Sequence, residues 1–360
     1  TAATLEQRLT VLDSLREWEP EVAWTLMMQL LPRSDDVGHP TAKPRWREWR
    51  ADEPAQVTHA EFDKGAREIA ARLLEDVGES GTRWEELIAA LPNLPLAQYQ
   101  AAVDRLRSLD PEGVRPEDRS RIWDALRKLV GRHRSFPDAD WALREEHLKP
   151  LAEVMKRWEP VEPVARYGWL FSHSPDLPDG LEADWAARDQ AVARARLEAV
   201  RAFYEKGGLA GVLALVGTVE VPGELGVTLG RSELAATEED ELLSRCLAAG
   251  DTARAQFARG FAVGRISSQG REWAKAKLTG VGQGWAPAQR AELLVCLPTD
   301  PETWDLAVNL GLETERCYWR LASPYGISQT HAERAVRNLL KHARPFAAIN
   351  LLAHRGVRPY

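Results

Sequence analysis

The sequence predicts an all-α protein, an α-α superhelix of degenerate helix pairs of the TPR or HEAT kind with one inserted N-terminal loop. Three observations carry that prediction. Apolar residues recur at helical spacing along the chain, as in Leu5, Leu9, Leu12 and Leu15. No stretch alternates apolar and polar residues with period two for long enough to argue a sheet. Proline, glycine and capping residues interrupt the apolar runs at short intervals, as expected of consecutive helices joined by tight turns.

The elements follow in order. Thr4-Leu5-Glu6-Gln7 is a capping box that opens the first helix. Glu19-Pro20-Glu21 ends it and starts a second, because proline suits the first helical position and acids suit the positive end. Ala23, Leu26, Met27, Leu30 and Leu31 are its expected buried stripe. A polar loop over 32–57 follows, and Thr58-His59-Ala60-Glu61, flanked by Val57 and Phe62, reads as a capping box with a hydrophobic staple. Phe62, Ala66, Ile69 and Leu73 continue the inner face of that third helix. Further helices are predicted from Thr82 to Pro92, from Pro95 to Leu109, from Pro116 to His133, and over Trp141 to Trp158 with a kink or break at Pro150. Trp158-Glu159-Pro160 repeats the Trp18-Glu19-Pro20 junction and predicts the same corner used twice.

Phe171 to Gly180 is a second loop, and one long helix is expected over Leu181 to Lys206. Shorter helices are predicted at 208–218, 222–231, 238–249, 252–267, 286–296 and 301–310. The last piece is the clearest repeat unit. Thr330-His331-Ala332-Glu333 caps a helix with Ala335, Val336, Leu339 and Leu340 inside, Arg344-Pro345 turns the chain, and Phe346, Ala347, Ile349, Leu351 and Leu352 pack back. No strict repeat period survives, so the repeats are degenerate.

At 360 residues the chain exceeds one ordinary core. Two lobes are expected, 1–180 with the loop 32–57 and 181–360. Forty-seven Lys plus Arg against 54 Asp plus Glu give a net charge of −7, which argues against a surface built broadly for nucleic acid. Fourteen Trp residues are many, and most are expected to fill wedges between crossing helices. Cys246, Cys296 and Cys317 lack CxxC spacing and read as buried free thiols of a cytoplasmic protein. No stretch has the length and apolarity of a bilayer span, and no basic-then-apolar signal segment opens the chain. The first residue is Thr rather than Met, and the sequence reads as a piece of a longer protein.

No catalytic motif stands out by its spacing. The glycines of 207–230 match neither the phosphate-loop nor the dinucleotide pattern, and read as helix-packing positions. HExxH, GxSxG and EF-hand patterns are absent, and no two of the eight histidines share metal-face spacing. Neither a cofactor nor a metal is expected. Asp35, Asp36 and His39 form the nearest approach to a ligand cluster, although turn-forming and capping roles account for them better. Arg45, Trp46, Arg47 and Trp49 lie in a basic-aromatic run that suits an acidic protein surface or packing back onto the helices, and less well, given the net charge, stacking on nucleic-acid bases. His173 with Asp176 and Asp179 is a second loop cluster. Arg127-Lys128 and Arg132-His133-Arg134 read as a solvated helix end beside a negative dipole.

Three segments, WEPEVAWTLMMQLLPRSDDVGHPTAKPRWREW, PTDPETWDLAVNLG and AERAVRNLLKHARPFAAINLLA, resemble the C-terminal helical-repeat region of large bacterial STAND-type NTPases and related multidomain defence proteins. The resemblance implies a sensor region attached to an ATPase and an effector, and it transfers no functional residues. The expected function is therefore non-catalytic recognition of a protein or other macromolecule, with no membrane partner. A helical hydrolase using the loop Asp and His residues is the first alternative. It expects the two loops to share a pocket. A structural spacer is the second, and it expects no exposed apolar patch.

Overall fold

The structure, a computed structural model, describes residues 3–33, 58–180, 185–247 and 252–353. All regular structure among the described residues is helical, as predicted. The chain divides into two compact units, Thr1–Glu162 with Asp176–Arg188 and Pro163–Pro175 with Asp189–Tyr360.

The first unit begins with α1 (Leu5–Trp18), α2 (Pro20–Leu30) and α3 (His59–Asp76). Both halves of the Thr4 capping box form, with the Thr4 N–H donating to Gln7 Oε1 at 2.9 Å. At the start of α3, Thr58 Oγ1 accepts from the Glu61 N–H at 3.2 Å; Val57 of the expected staple lies outside the described residues. α4 (Gly81–Ala90) is capped by Ser80, two residues before the expected Thr82, because the Ser80 side chain reaches the Arg83 N–H. α5 (Leu96–Ser108), α6 (Pro116–Ser135) and α7 (Glu145–Trp158) complete the unit. α1 packs on α2, α2 on α3 and α6 on α7, while α3 also packs on α5, α4 on α6 and α5 on α7. α4 and α6 start side by side. The Gly81 N–H donates to buried Asp118 at 3.1 Å, and a Cβ at Gly81 would lie 2.5 Å from Asp118 Cα.

Residues 141–144 are not helical, and of the kink or break expected at Pro150 the break does not occur, since α7 continues through it. Pro150 sits in the second turn, where its missing N–H removes one helical bond while the apolar face of Leu148, Leu151, Val154 and Met155 stays buried. The Trp-Glu-Pro junctions also differ. At Glu19 the next helix starts immediately at Pro20, whereas after Glu159 it waits until Pro163; Trp18 is 82% exposed and Trp158 fully buried.

In the second unit, α8 (Pro163–Tyr167) is followed by a 3-10 turn and then α9 (Trp185–Leu215), whose first four residues belong to the first unit. α9 is divided at Gly207 and Gly208, between the two helices expected at 181–206 and 208–218, and the φ of +57° at Gly208 is a conformation side chains resist. α10 (Pro222–Arg231), α11 (Glu239–Cys246), α12 (Thr252–Gln269), α13 (Arg271–Thr279), α14 (Pro287–Leu294), α15 (Pro301–Asn309), α16 (Leu312–Leu321), α17 (Ala332–Lys341) and α18 (Pro345–Ala353) follow. α8, α13 and α16 add to the helices read from sequence. α10 packs on α12, α12 on α14 and α14 on α16.

The α10–α12 crossing is the tightest contact. Built Cβ atoms would lie 2.1 Å from Phe257 O at Gly226 and 2.2 Å from Phe261 O at Gly230. At Gly260 the distance is 2.1 Å to Gly223 O, and at Gly264 it is 2.5 Å to Val227 O. Glycine at all four positions is what lets the backbones touch, in line with the packing role read from the sequence. Beside the crossing, fully buried Arg265 pairs with Glu239 at 2.7 Å, and Glu239 also accepts from Trp273 Nε1 and Lys277. The charge is compensated inside the core, as burial requires.

The tryptophans behave largely as expected. Trp24, Trp84, Trp123, Trp158, Trp273, Trp285, Trp304 and Trp319 are buried. The C-terminal pair departs from expectation. Ala335, Leu339, Ala347, Ala348 and Leu351 are buried, but Leu340, Phe346, Ile349 and Leu352 are exposed, so α18 buries only one of its apolar faces. No helix among the described residues is long and apolar enough to cross a membrane.

Candidate functional site

Asp35, Asp36, His39, Arg45, Trp46, Arg47 and Trp49 all lie outside the described residues. The described flanks of their loop lead to a different feature. Leu31, at the end of α2, is buried, and Thr58 caps α3. Between these ends α1, α2 and α3 enclose an apolar groove of about 830 Å³.

Its construction follows from the residue pattern of each helix. The α1 stripe buries Leu9 and Leu12 and leaves Leu5 and Leu15 half-buried along the groove. α2 is apolar on more than one face. Ala23, Trp24 and Met27 pack into the core, while Leu26 and Leu30 stand 38% and 50% exposed over the groove. The single buried stripe expected for α2 is therefore divided between two surfaces. On α3, Ala66 and Ile69 form the floor, and Gly65 faces Leu5, where a built Cβ would sit in ordinary contact 3.5 Å from Leu5 Cδ1. Phe62, expected on the inner face, is instead 52% exposed at the rim. The Arg8–Glu61 ion pair at 3.0 Å is also part of the lining.

The walls are held by charge. Arg16 of α1 reaches Asp76 at 2.7 Å and Glu75 at 2.8 Å on α3, and Arg72 of α3 reaches back to Asp13 at 2.7 Å. The hydrogen bond from Arg72, with help from Arg16, holds the Asp13 carboxyl down to about 2 against the opposing effect of burial. Below α2, Trp24 lies under the Arg83 guanidinium at 5.0 Å and donates to Glu86 at 2.6 Å. Arg83 in turn reaches Glu21 at 2.7 Å and the Asp76 carbonyl. The groove is thus an apolar surface on a cross-braced frame.

The other loop cluster is described, whereas residues 35–39, with which a shared pocket is expected, lie outside the described residues. His173 and Asp179 are exposed. The carbonyl oxygens of Asp176 and Pro178 accept from Arg127 and Arg134 of α6, so this loop's backbone anchors α6. Gly131 makes that contact close, its built Cβ lying 2.9 Å from Leu177 O. Arg127 and His133 are buried, which corrects the reading of their run as a solvated helix end. Among the described residues, no group of three or more His, Cys, Asp or Glu side chains is gathered to hold a metal.

The groove escapes a reading by stripes because its signal is one of excess. PEVAWTLMMQL supplies more apolar residues than a single buried stripe needs, and a helix apolar around most of its circumference demands a second covered face. Comparison of the chain with protein-family models, curated proteins and solved structures gave no match in any of the three.

Proposed function

We propose that the chain is a non-catalytic helical-repeat scaffold that recognises a protein partner, and that its groove over α1–α3 receives an apolar helical segment of that partner. The groove carries this reading. An open surface of Leu26, Leu30 and Phe62 beside buried Leu9 and Ile69 has the dimensions and chemistry of helix-in-groove recognition. It also weighs against a plain spacer. The finer architecture belongs to the same proposal: packing of α3 on α5, α4 on α6, α5 on α7, α10 on α12, α12 on α14 and α14 on α16 is what stacked TPR- or HEAT-like pairs in an α-α superhelix would produce. The resemblance to STAND-type proteins supports a cytoplasmic sensor region whose occupancy is transmitted to an attached NTPase and effector in bacterial defence. Arg45, Trp46, Arg47 and Trp49 remain proposed anchors, with Asp35, Asp36 and His39 as lesser ones, and the groove reading does not depend on them.

The test uses Leu30→Glu and Phe62→Glu, both at exposed positions where the fold tolerates charge. Affinity capture from bacterial lysate with and without phage infection, followed by quantitative mass spectrometry, should recover a protein with the parent chain and lose it with either variant. Recovery of the same proteins by the parent and both variants, or of none by any of them, would refute the groove as the recognition surface.

A further inference from the structure

The basic end of α6 borders a second cavity. Of its cations, Arg127 is spoken for by Asp124 at 2.7 Å and the Asp176 carbonyl at 2.9 Å. Arg134 binds Glu145 and the Pro178 carbonyl, and Lys128 pairs with Asp124 at 2.8 Å. Arg132 makes no ion pair among the described residues. Its guanidinium lies over the Trp141 ring at 5.0 Å. Next to it, the buried His133 ring meets Trp141 edge-on at 5.2 Å.

The hydrogen bonding of His133 fixes what it can do. Nδ1 accepts the Leu143 N–H at 2.9 Å, so in the neutral ring the proton sits on Nε2. Among the described residues no acceptor meets that Nε2–H. Burial and the neighbouring Arg132 charge push the ring's pKa down, so it stays a neutral donor. Arg132, His133, Lys128, Trp141, Leu129 and Pro92 line a cavity of about 560 Å³, and the Lys128 ammonium is already held by Asp124.

One acid, Glu85, also lines this cavity, but at the other end. Glu85 lies within 3.7 Å of Arg121. Arg121 is eleven residues before Arg132 on α6, or about 16 Å along the axis. Among the described residues, the end with Arg132 and His133 therefore offers one cation without an ion pair and one neutral N–H donor, against walls of Leu129, Pro92 and Trp141.

We infer that this cavity binds a small organic monocarboxylate, its carboxylate received by Arg132 and the His133 Nε2–H and its planar apolar body lying against Leu129, Pro92 and Trp141. Among the described residues Arg132 is the cation of this lining without an ion pair, Lys128 being held by Asp124, so one such cation matches one negative charge, and a guanidinium with a second N–H donor suits the paired oxygens of a carboxylate. Inorganic phosphate would leave the apolar walls uncovered. This site is independent of the groove over α1–α3.

The experiment is isothermal titration of the full chain with benzoate, with its neutral isostere benzamide and with inorganic phosphate. Benzoate should bind at least about tenfold more tightly than either, and Arg132→Gln should weaken it by about tenfold or more. The imidazole Nε2–H resonance of His133 should shift on benzoate addition. Equal binding of benzoate and benzamide, indifference to Arg132→Gln, preference for phosphate, or no binding of any probe would each overturn the assignment. The benzamide comparison on the parent chain keeps the test decisive if the variant folds poorly.

Discussion

Gly226→Ala isolates the close approach of α10 and α12. The added methyl would sit 2.1 Å from Phe257 O and 2.8 Å from Phe261 N, both backbone atoms that cannot rotate away. Ordinary contact begins at 3.4 Å, so the helices must separate by 3.4 − 2.1 = 1.3 Å. A gap of that size forfeits roughly half of the dispersion attraction along the interface, which includes fully buried Phe257 and Phe261. Overpacking alone costs about 1–3 kcal/mol. Alanine returns about 1 kcal/mol of helix propensity relative to glycine. With backbone on both sides of the clash, the upper end of the overpacking range applies, and the expected net loss is about 2 kcal/mol. Gly223→Ala is the matched control on the same helix. Its methyl would meet only Gln256 O at 3.7 Å, so the propensity gain stands alone and stability should hold or rise. Urea unfolding followed by far-ultraviolet dichroism measures the difference, and hydrogen exchange of peptides from α10 and α12 localises it. Equal midpoints for the two variants would refute the crossing as described.

Four further expectations rest on single groups. Burial alone would raise the Glu315 carboxyl, but hydrogen bonds from Lys341 and His342 outweigh it and hold the group below its ordinary value. Its contribution is present above the ordinary carboxylate range and lost as pH falls through the lowered value. Glu315→Gln should cost about 1–3 kcal/mol at neutral pH, with the gap in melting temperature closing in acid. His133 works in the opposite chemical sense, since its folded form resists protonation while the unfolded chain takes a proton near 6.5. Stability of the first unit should decline as pH drops below about 6.5, and an unchanged pH slope in His133→Gln would contradict that origin. Asp13, 42% exposed at its side chain, is screened, so Asp13→Asn should cost less than about 1 kcal/mol. The loss should disappear in concentrated salt and below the carboxyl's lowered pKa of about 2, as melts across salt and pH would report. Burial pushes the Cys296 thiol up to about 12, so a disulfide reagent at mildly alkaline pH should modify it only after unfolding; prompt stoichiometric labelling of this residue in the native protein would count against the packing.

Local signals were legible where one residue decides the geometry. The Thr4 and Thr58 caps, the Pro20 start, the break before Gly208 and the α10 bounds from Pro222 to Arg231 all follow from side chains acting within a few residues of themselves. Faces were less legible, because periodicity identifies an apolar side but not what covers it. Leu26, Leu30 and Phe62 continue buried stripes in sequence, yet border an open groove in space. The same ambiguity misplaced Phe346, Ile349 and Leu352. Pro150 shows the reverse case, in which a strong local signal is overridden by the burial of the residues around it. For the loop that holds the sequence-derived site residues, the structure adds only the positions of its flanks.

Arginine was the least legible residue, and its use explains how a chain without a strict repeat keeps joining helices. Arg119 donates to the carbonyls of Trp158 and Glu159 at the end of α7. Arg196 grips Leu170 and Ser172, Arg265 grips Ser232 after α10, Arg290 grips Gly282 and Gln283, and Arg344 grips Trp319 and Ala322 after α16. Each acceptor lies at or near a helix or 3-10 terminus, where carbonyls commonly lack intrahelical partners and carry the negative end of the dipole. Buried ends of this kind need donors that water cannot supply. A guanidinium offers several in one plane and remains charged when enclosed, which a lysine does less well. Because the grip depends on one side chain reaching one terminus, its sequence position need not recur with any period. Charge patterning assigns such arginines to the solvent face, while the fold places them at its joints. Apolar faces such as that of α2 are then not needed to hold every joint, which leaves Leu26 and Leu30 free to face the groove.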